Sequence, residues 1–324
     1  MPELPEVETV ARDLKPLLTG KTIQGAWWSG KKLRLPWQEE WTSYVRGWAF
    51  RDVKRRAKWL VFYLGKPEEP GSDQNDFRFP KLIAHLGMTG QLTIIQGGTL
   101  GDPSSLPEDH VHLRFDLVHR PKPAVRAGGK KVGEPPGFQA LRFRDIRRFG
   151  GIHLARNQVE LDTFFEKHRL GPEPWDCLLQ DWKQALARTN RAIKAVLLDQ
   201  TVISGVGNIY ADECLHAAGI HPCRPASSLD TLEASRLLNQ SGEVMRRAIE
   251  NRGSTIRDYV GGENLNGRNQ EFLQVYGREG LPCSTCASVL LRWTVGGRSS
   301  RFCPKCQQVP RHLGAPRKAR EGRC

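Results

Sequence analysis

The stretch LGPEPWD (170–176) separates two texts written with different periods. It combines a glycine with two prolines, which suits a hinge between domains. Before it, from about residue 22 to 155, come short β-rich runs: WLVFYL (59–64), QLTII (91–95), HVHLRFDLV (110–118) and LRF (141–143). Turn residues separate them, and a β-sandwich or barrel is the natural packing. After it, segments 178–188, 190–199, 206–218 and 229–251 have helical spacing and little strand character. At the front, Leu4, Val7, Val10, Leu14 and Leu17/Leu18 recur at helical spacing between Pro2 and Gly20, which predicts a helix over 3–18. Two polar stretches, GKPEEPGSDQND (65–76) and HRPKPAVRAGGKKVGEPPG (119–137), read as long hairpin tips. The expected class is therefore α+β, an N-terminal helix plus β-sandwich followed by a helical domain.

With 324 residues and 39% hydrophobic content, the chain has enough apolar material for two packed domains. No run approaches 18 apolar residues, and MPELPEVETV carries acids where a signal peptide carries basic residues. These features predict no membrane partner and a cytoplasmic location. Lys and Arg outnumber Asp and Glu by 49 to 35, a formal charge of +14 that favours a polyanion, nucleic acid above all. No basic amphipathic helix offers a large apolar face to a membrane surface.

CSTC (283–286) and CPKC (303–306) each place two thiolates on a tight turn, and residues 287–302 between them suit a β-hairpin. Four thiolates in a tetrahedron, Cys283, Cys286, Cys303 and Cys306, make a closed structural site for one zinc ion. Such a site leaves no position for substrate, so its work is folding and docking. Arg292, Arg298 and Arg301 lie between the pairs, where a ribbon presents arginine to phosphates. Cys177, Cys214, Cys223 and Cys324 are scattered and read as plain thiols.

Glu3 and Glu6 stand three apart, which places them on one helix face beside Pro2. Proline at the first helical position with acids in the first turn is ordinary helix-start chemistry. Removal of Met1, however, makes Pro2 a free secondary amine, able to condense with a sugar aldehyde carbon to an iminium. An α-amino group titrates near 8, well below lysine, so more of it is nucleophilic near neutral pH. A carboxyl group beside it supplies a proton to the leaving sugar oxygen.

PELPEVET (2–9), RRAKWL (55–60), HLGMTG (85–90), RRFGG (147–151), LGPEP (170–174), GVGNIYADE (205–213), VYGREG (275–280) and the cysteine pairs stand together in order. As a set they resemble the formamidopyrimidine-DNA glycosylase family, from residue 2 to about 308. The resemblance implies a β-sandwich domain over 1–155, a linker at 156–176, a helix-two-turn-helix domain over 177–276, a zinc finger at 277–310 and a basic tail at 311–324. It also implies a bifunctional glycosylase and AP lyase acting on double-stranded DNA that contains oxidised bases, 8-oxoguanine and formamidopyrimidines. The enzyme would be a cytoplasmic monomer of bacterial type, flipping the damaged nucleotide out of the stack before chemistry.

Residue by residue, the resemblance makes Pro2 the nucleophile at the sugar C1′, Glu3 the acid that assists ring opening, and Glu6 a supporting carboxylate. Lys58 matches the lysine that contacts DNA near the lesion and is implicated in proton transfer. Met88, Arg147 and Phe149 match the side chains that fill the gap left by the flipped base, a thioether, a guanidinium for the orphaned cytosine and an aromatic wedge. Asn208 is placed to hold a phosphate, and Arg298, five before Cys303, joins it and Lys58 around the damaged nucleotide. Ser254 and the amides of Ile256 to Tyr259 match the loop that recognises the oxidised base, and His110 a phosphate contact.

Two departures stand out: Arg252 precedes Gly253 where the family often has two glycines, and His110 stands alone where it has two histidines. The insertion at 119–137 has no counterpart in the pattern. An endonuclease VIII type glycosylase for oxidised pyrimidines uses the same proline chemistry, but PELPEVE, the Met88, Arg147 and Phe149 set and GSTIRDY (253–259) argue against it. A non-catalytic zinc-finger DNA-binding protein, in which Pro2 and Glu3 merely start a helix, fits the charge and the cysteines equally well.

Overall fold

The computed structural model describes residues 2–67, 77–96, 109–119, 139–254 and 267–308. The basic tail and all but the ends of the two expected hairpin tips lie outside the described residues. The chain divides into two compact units, one built chiefly on Glu6–Phe165, the other on Glu3–Pro5, Glu166–Ser254 and the chain from Arg268.

In the first unit, helix α1 (Leu4–Leu18) presents Val7, Val10, Leu14 and Leu18 to the interior. The strands are β1 (Lys21–Trp28), β2 (Ala49–Arg56), β3 (Trp59–Gly65), β4 (Lys81–His85), β5 (Gly90–Gln96), β6 (Val111–His119), β7 (Gln139–Asp145) and β8 (Gly151–Ala155), in the order β5-β7-β6-β1-β2-β3-β4-β8. Their pairings are antiparallel. β1 and β2 share a single registered pair, Thr22↔Ala49, between two long ladders. The sheet therefore folds at that seam into two four-stranded halves. Phe115, Leu141 and Phe143 from one half meet Phe50, Phe62 and Leu82 from the other in one core that also takes in α1. This is the expected sandwich, with its core between the two halves.

Two short helices escape the periodicity argument. α2 (Glu39–Tyr44) buries Trp41 edge-on to Trp37, with ring centroids 5.3 Å apart. α3 (Gln158–His168) lies in the segment read as linker, held by Phe164 and Phe165 at 5.1 and 6.3 Å from the Trp59 ring. Both are fixed by aromatic contacts rather than by a repeating apolar stripe.

The second unit contains α4 (Leu179–Ala187), α5 (Ile193–Leu197), α6 (Asn208–Ala217) and α7 (Thr231–Glu250). α7 starts on a capping box: the Glu233 amide donates to Asp230 Oδ1 at 2.8 Å and the Asp230 amide to Glu233 Oε2 at 3.0 Å. α6 is different, with Ile209 through Leu215 continuously buried. Its acids must find partners inside. Asp212 accepts from Lys194 Nζ at 2.7 Å, both side chains fully buried. Burial pushes the lysine down and the aspartate up, each opposed by the other's charge.

β9 (Leu291–Val295) and β10 (Arg298–Phe302) form a hairpin closed by Gly296 and Gly297, both at positive φ (54° and 75°). A two-residue turn of this kind matches the strand twist, and glycine enters it without steric cost. Trp293 and Phe302 from the hairpin pack on the His221 ring at 5.1 and 4.4 Å. Cys177 and Cys214 are free thiols.

Burial in this aromatic nest pushes His221 from its ordinary 6.5 down to about 4. The native state therefore refuses a proton that the unfolded chain accepts between these values. The contribution is complete above pH 6.5 and is lost as pH falls towards 4. Denaturant titrations of the wild type and His221→Phe should show a steeper loss of stability over that window in the wild type. Parallel pH profiles would mean that His221 takes up its proton alike in the folded and unfolded states.

Candidate functional site

α1 begins at Leu4, so Pro2 and Glu3 precede the helix instead of forming its first turn. Glu3 thus stands just before the helix and Glu6 in its first turn. The reason is a competing helix terminus: Glu3 Oε1 accepts from the Ile209 amide at 2.9 Å and Oε2 from the Tyr210 amide at 3.3 Å. The positive end of α6 and its unpaired amides hold the carboxylate better than a place in α1 would. The Leu4 amide donates to Gly205 O at 3.2 Å.

This docking explains the glycines of GVGNIY. A Cβ at Gly207 would lie 2.3 Å from Glu3 Cδ, and one at Gly205 (φ +91°) 2.4 Å from Leu4 Cδ1. Both positions need glycine because the N-terminal strand of chain lies against them. Glu3 is 1% exposed, and so is Glu6 in the first turn of α1.

Lys58 occupies the β2–β3 turn next to Ala57, which adopts φ 51°. It is buried, at 7% exposure, and does not behave as a snorkelling surface lysine. Pro2 is buried as well.

Met88 lies on the turn from β4 to β5, and Arg147 and Phe149 on the turn from β7 to β8. Met88 is 38% and Phe149 44% exposed, so neither is spent on the core. The Arg147 guanidinium lies over the Phe149 ring, 4.7 Å from its centroid. His110 is exposed at the start of β6 with φ 70°, and its carbonyl accepts from the Asp145 amide at 2.9 Å.

Asn208 is the first residue of α6, and its side-chain Oδ1 is buried without a partner. On the hairpin, Arg301 pairs with Glu279 at 3.2 Å and Arg292 reaches the same carboxylate at 4.0 Å. Arg298 makes no ion pair among the described residues and is exposed beside the turn. Ser254 is 3% exposed. Its hydroxyl accepts from Asn269 Nδ2 at 3.0 Å and meets the Tyr210 hydroxyl at 3.3 Å. Tyr259 and the amides of residues 256–259 lie outside the described residues.

Cys283, Cys286, Cys303 and Cys306 bring their four sulfurs within 4.8 Å of one another. Zinc–sulfur bonds of about 2.3 Å in a tetrahedron set sulfur–sulfur edges of about 3.8 Å. The observed 3.4 Å between Cys286 and Cys303 and 4.0 Å between Cys283 and Cys306 straddle that value. The donor set fits a metal that prefers four thiolates.

Residues that spacing did not single out anchor elements within each unit. Glu213 accepts from the amides of Gln274, Val275 and Tyr276 at 2.8, 2.9 and 2.8 Å, which fixes the approach to the cysteine module. Asp145, fully buried, accepts from Thr89 on the Met88 turn. An Asp closing a strand ahead of RRFGG is a turn signal that points to it. Nothing in the local text marks Glu213, whose partners lie some sixty residues away.

Two family models match the chain, the formamidopyrimidine-DNA glycosylase N-terminal domain over 1–152 and its H2TH domain over 170–260. A formamidopyrimidine-DNA glycosylase of Thermomicrobium roseum is 42% identical over 95% of this chain and all of that one. The solved complex of Lactococcus lactis Fpg with DNA containing an abasic site superposes with a TM-score of 0.78 at 32% identity, covering 95% of this chain and 100% of the other. A variant of that enzyme bound to Fapy-dG DNA aligns equally well, with a TM-score of 0.78, 32% identity and the same coverage. The chain belongs to the formamidopyrimidine-DNA glycosylase family, base-excision repair enzymes that are both DNA glycosylases and AP lyases.

Proposed function

We propose that this chain excises oxidised purines, 8-oxoguanine and formamidopyrimidines, from double-stranded DNA through a Schiff base at Pro2, followed by β,δ-elimination. The observation that carries the reading is the buried carboxylate of Glu3, held by two α6 amides immediately after Pro2. A residue that merely started a helix would not be committed to another helix's terminus.

With Met1 removed, the Pro2 nitrogen lone pair attacks C1′ and the oxidised base leaves with its bonding pair. Glu3 gives a proton to the ring oxygen as the sugar opens, which leaves an iminium. The iminium acidifies the 2′ hydrogen, whose loss expels the 3′ phosphate, and loss of the 4′ hydrogen from the resulting conjugated iminium then expels the 5′ phosphate. Glu3 accepts from two α6 amides, and as a carboxylic acid it would carry that proton. Glu6 is a second buried carboxylate in support.

Lys58, Asn208 and Arg298 take the backbone of the damaged nucleotide, and His110 a neighbouring phosphate. The unpaired Oδ1 of Asn208 leaves its amide free to turn its N–H towards a phosphate at a helix start. Met88, Arg147 and Phe149 fill the vacated stack. Ser254 and Tyr259 belong to the base-recognition segment. The Ser254 hydroxyl accepts from Asn269 Nδ2. Cys283, Cys286, Cys303 and Cys306 hold one structural zinc, which supplies rigidity to the hairpin that carries Arg298. The enzyme works as a cytoplasmic monomer, with the domain limits expected from the sequence. No helix among the described residues is long and apolar enough to cross a membrane.

Borohydride should trap the chain covalently on 8-oxoguanine duplex through Pro2, with far less trapping on a thymine glycol duplex. Peptide mapping that places the link on Lys58 would reject proline chemistry, and the reverse lesion preference would favour the endonuclease VIII type. Glu3→Gln should lose base excision while still binding lesion DNA, because only the proton donor is gone.

Metal analysis should find one zinc per chain. Its removal, or Cys303→Ser, should unfold the hairpin and weaken DNA binding. Active protein free of zinc would contradict the assignment.

Arg147→Ala should weaken discrimination for cytosine opposite the lesion by about 1 to 3 kcal/mol, the worth of a guanidinium contact to a base edge. Equal losses with every opposite base would reduce Arg147 to a phosphate contact.

A further inference from the structure

We infer that Asp145 is a positioning residue that holds the turn carrying Met88 and the turn carrying Arg147 and Phe149 as one preformed insertion element. The inference rests on the proposed gap-filling role of those three side chains. Asp145 ends β7 with no exposure to solvent. Its Oδ1 accepts from the Thr89 hydroxyl at 2.5 Å and from the Arg147 amide at 3.2 Å, and its Oδ2 accepts from the Gly150 amide at 2.8 Å. The Thr89 hydroxyl in turn accepts from the Arg147 amide at 3.1 Å. One carboxylate thus reaches both turns, and its main chain is spoken for as well. The Asp145 amide donates to His110 O at 2.9 Å, and the His112 ring Nε2 lies 3.0 Å from Asp145 O.

The two turns also touch backbone to backbone. A Cβ at Gly87 would come within 2.4 Å of Phe149 C, and one at Gly150 within 2.4 Å of His85 O. Gly87 adopts φ +61° and Arg148 φ 56°. Outside them, the Arg34 amide donates to Arg148 O at 3.2 Å.

The side chains at the tips lack such support. Met88 and Phe149 are more than a third exposed, and the contact at 4.7 Å between Arg147 and Phe149 is between two exposed groups. They stand outside the hydrophobic core, so their aim depends on the backbone beneath. A wedge entering a stacked duplex needs a rigid base, since a displacement of about 1 Å is enough to cost on the order of a hundredfold in rate. A carboxylate accepting charge-assisted bonds from both turns supplies that rigidity in the free protein.

The test compares two substrates in the zinc-loaded full chain. Excision of 8-oxoguanine paired with cytosine requires a gap to be filled. Cleavage at a preformed abasic site in a single strand does not. Thr89→Val keeps the shape but removes the hydroxyl that links the turns. It should slow excision from the duplex about tenfold or more while changing single-strand cleavage less than about twofold. Thr89→Ser, which keeps the hydroxyl, should restore the duplex rate. Asp145→Asn cannot accept from both turns as before and should show the same substrate split, with thermal melting recorded alongside.

Equal loss on both substrates would make Asp145 and Thr89 simple fold determinants, and no loss on either would make the link idle. Either result overturns the inference. Phe149→Ala serves as the reference. If it leaves duplex excision intact, the gap-filling role itself fails. If it impairs excision while Thr89→Val does not, only the positioning role fails.

Discussion

The N-terminus of α6 holding the Glu3 carboxylate is the interaction on which the rest of the second unit depends. It takes a flexible chain start, which would otherwise be expected to fray, and fixes it on two amides. The same ten-residue helix then distributes order along its length. Asp212 receives Lys194, the Ser300 hydroxyl and the Arg301 amide, while Lys194 also reaches Ser299 O. Glu213 takes three successive amides ahead of the cysteine module, and His216 Nε2 lies 3.7 Å from Cys283 Sγ. A buried helix with two acids is costly unless each acid is fully bonded, and here every bond ties down another segment.

That arrangement answers a size problem. A hairpin of two five-residue strands cannot build a core of its own. It borrows one from His221 and Cys223, and gains the rest from the four-thiolate site and from Asp212. Arg301 and Arg292 are spent on Glu279, which leaves Arg298 as the hairpin arginine not tied to that carboxylate. The first unit solves the opposite problem. Its large sandwich core is self-sufficient, and it presents exposed side chains from turns locked by glycine contacts and one buried carboxylate.

Much of this was legible in the chain. The period change at residues 170–176, the β-rich runs at 59–64 and 110–118 and the apolar spacing in 4–18 predicted strands and helices where they stand, because each is a local pattern. α5 is shorter than the expected 190–199, running Ile193–Leu197, and α2 and α3 were illegible because a few aromatic contacts define them. The cysteine spacing announced the four-sulfur cluster, since two such turns have few uses other than metal binding.

The sequence by itself determined the fold class, the four-cysteine cluster and the list of chemically able side chains, all of which follow from residue type and spacing along the chain. Only the tertiary structure decided that Glu3 leaves its own helix for the terminus of α6, and that Gly205 and Gly207 are glycines because of that visit. It alone decided that the Ser254 hydroxyl is turned inward, and that Asp145 and Glu213 are structural anchors. Hydrogen bonds between residues distant in sequence leave no period to read, and a buried carboxylate takes whatever amides the fold brings to it.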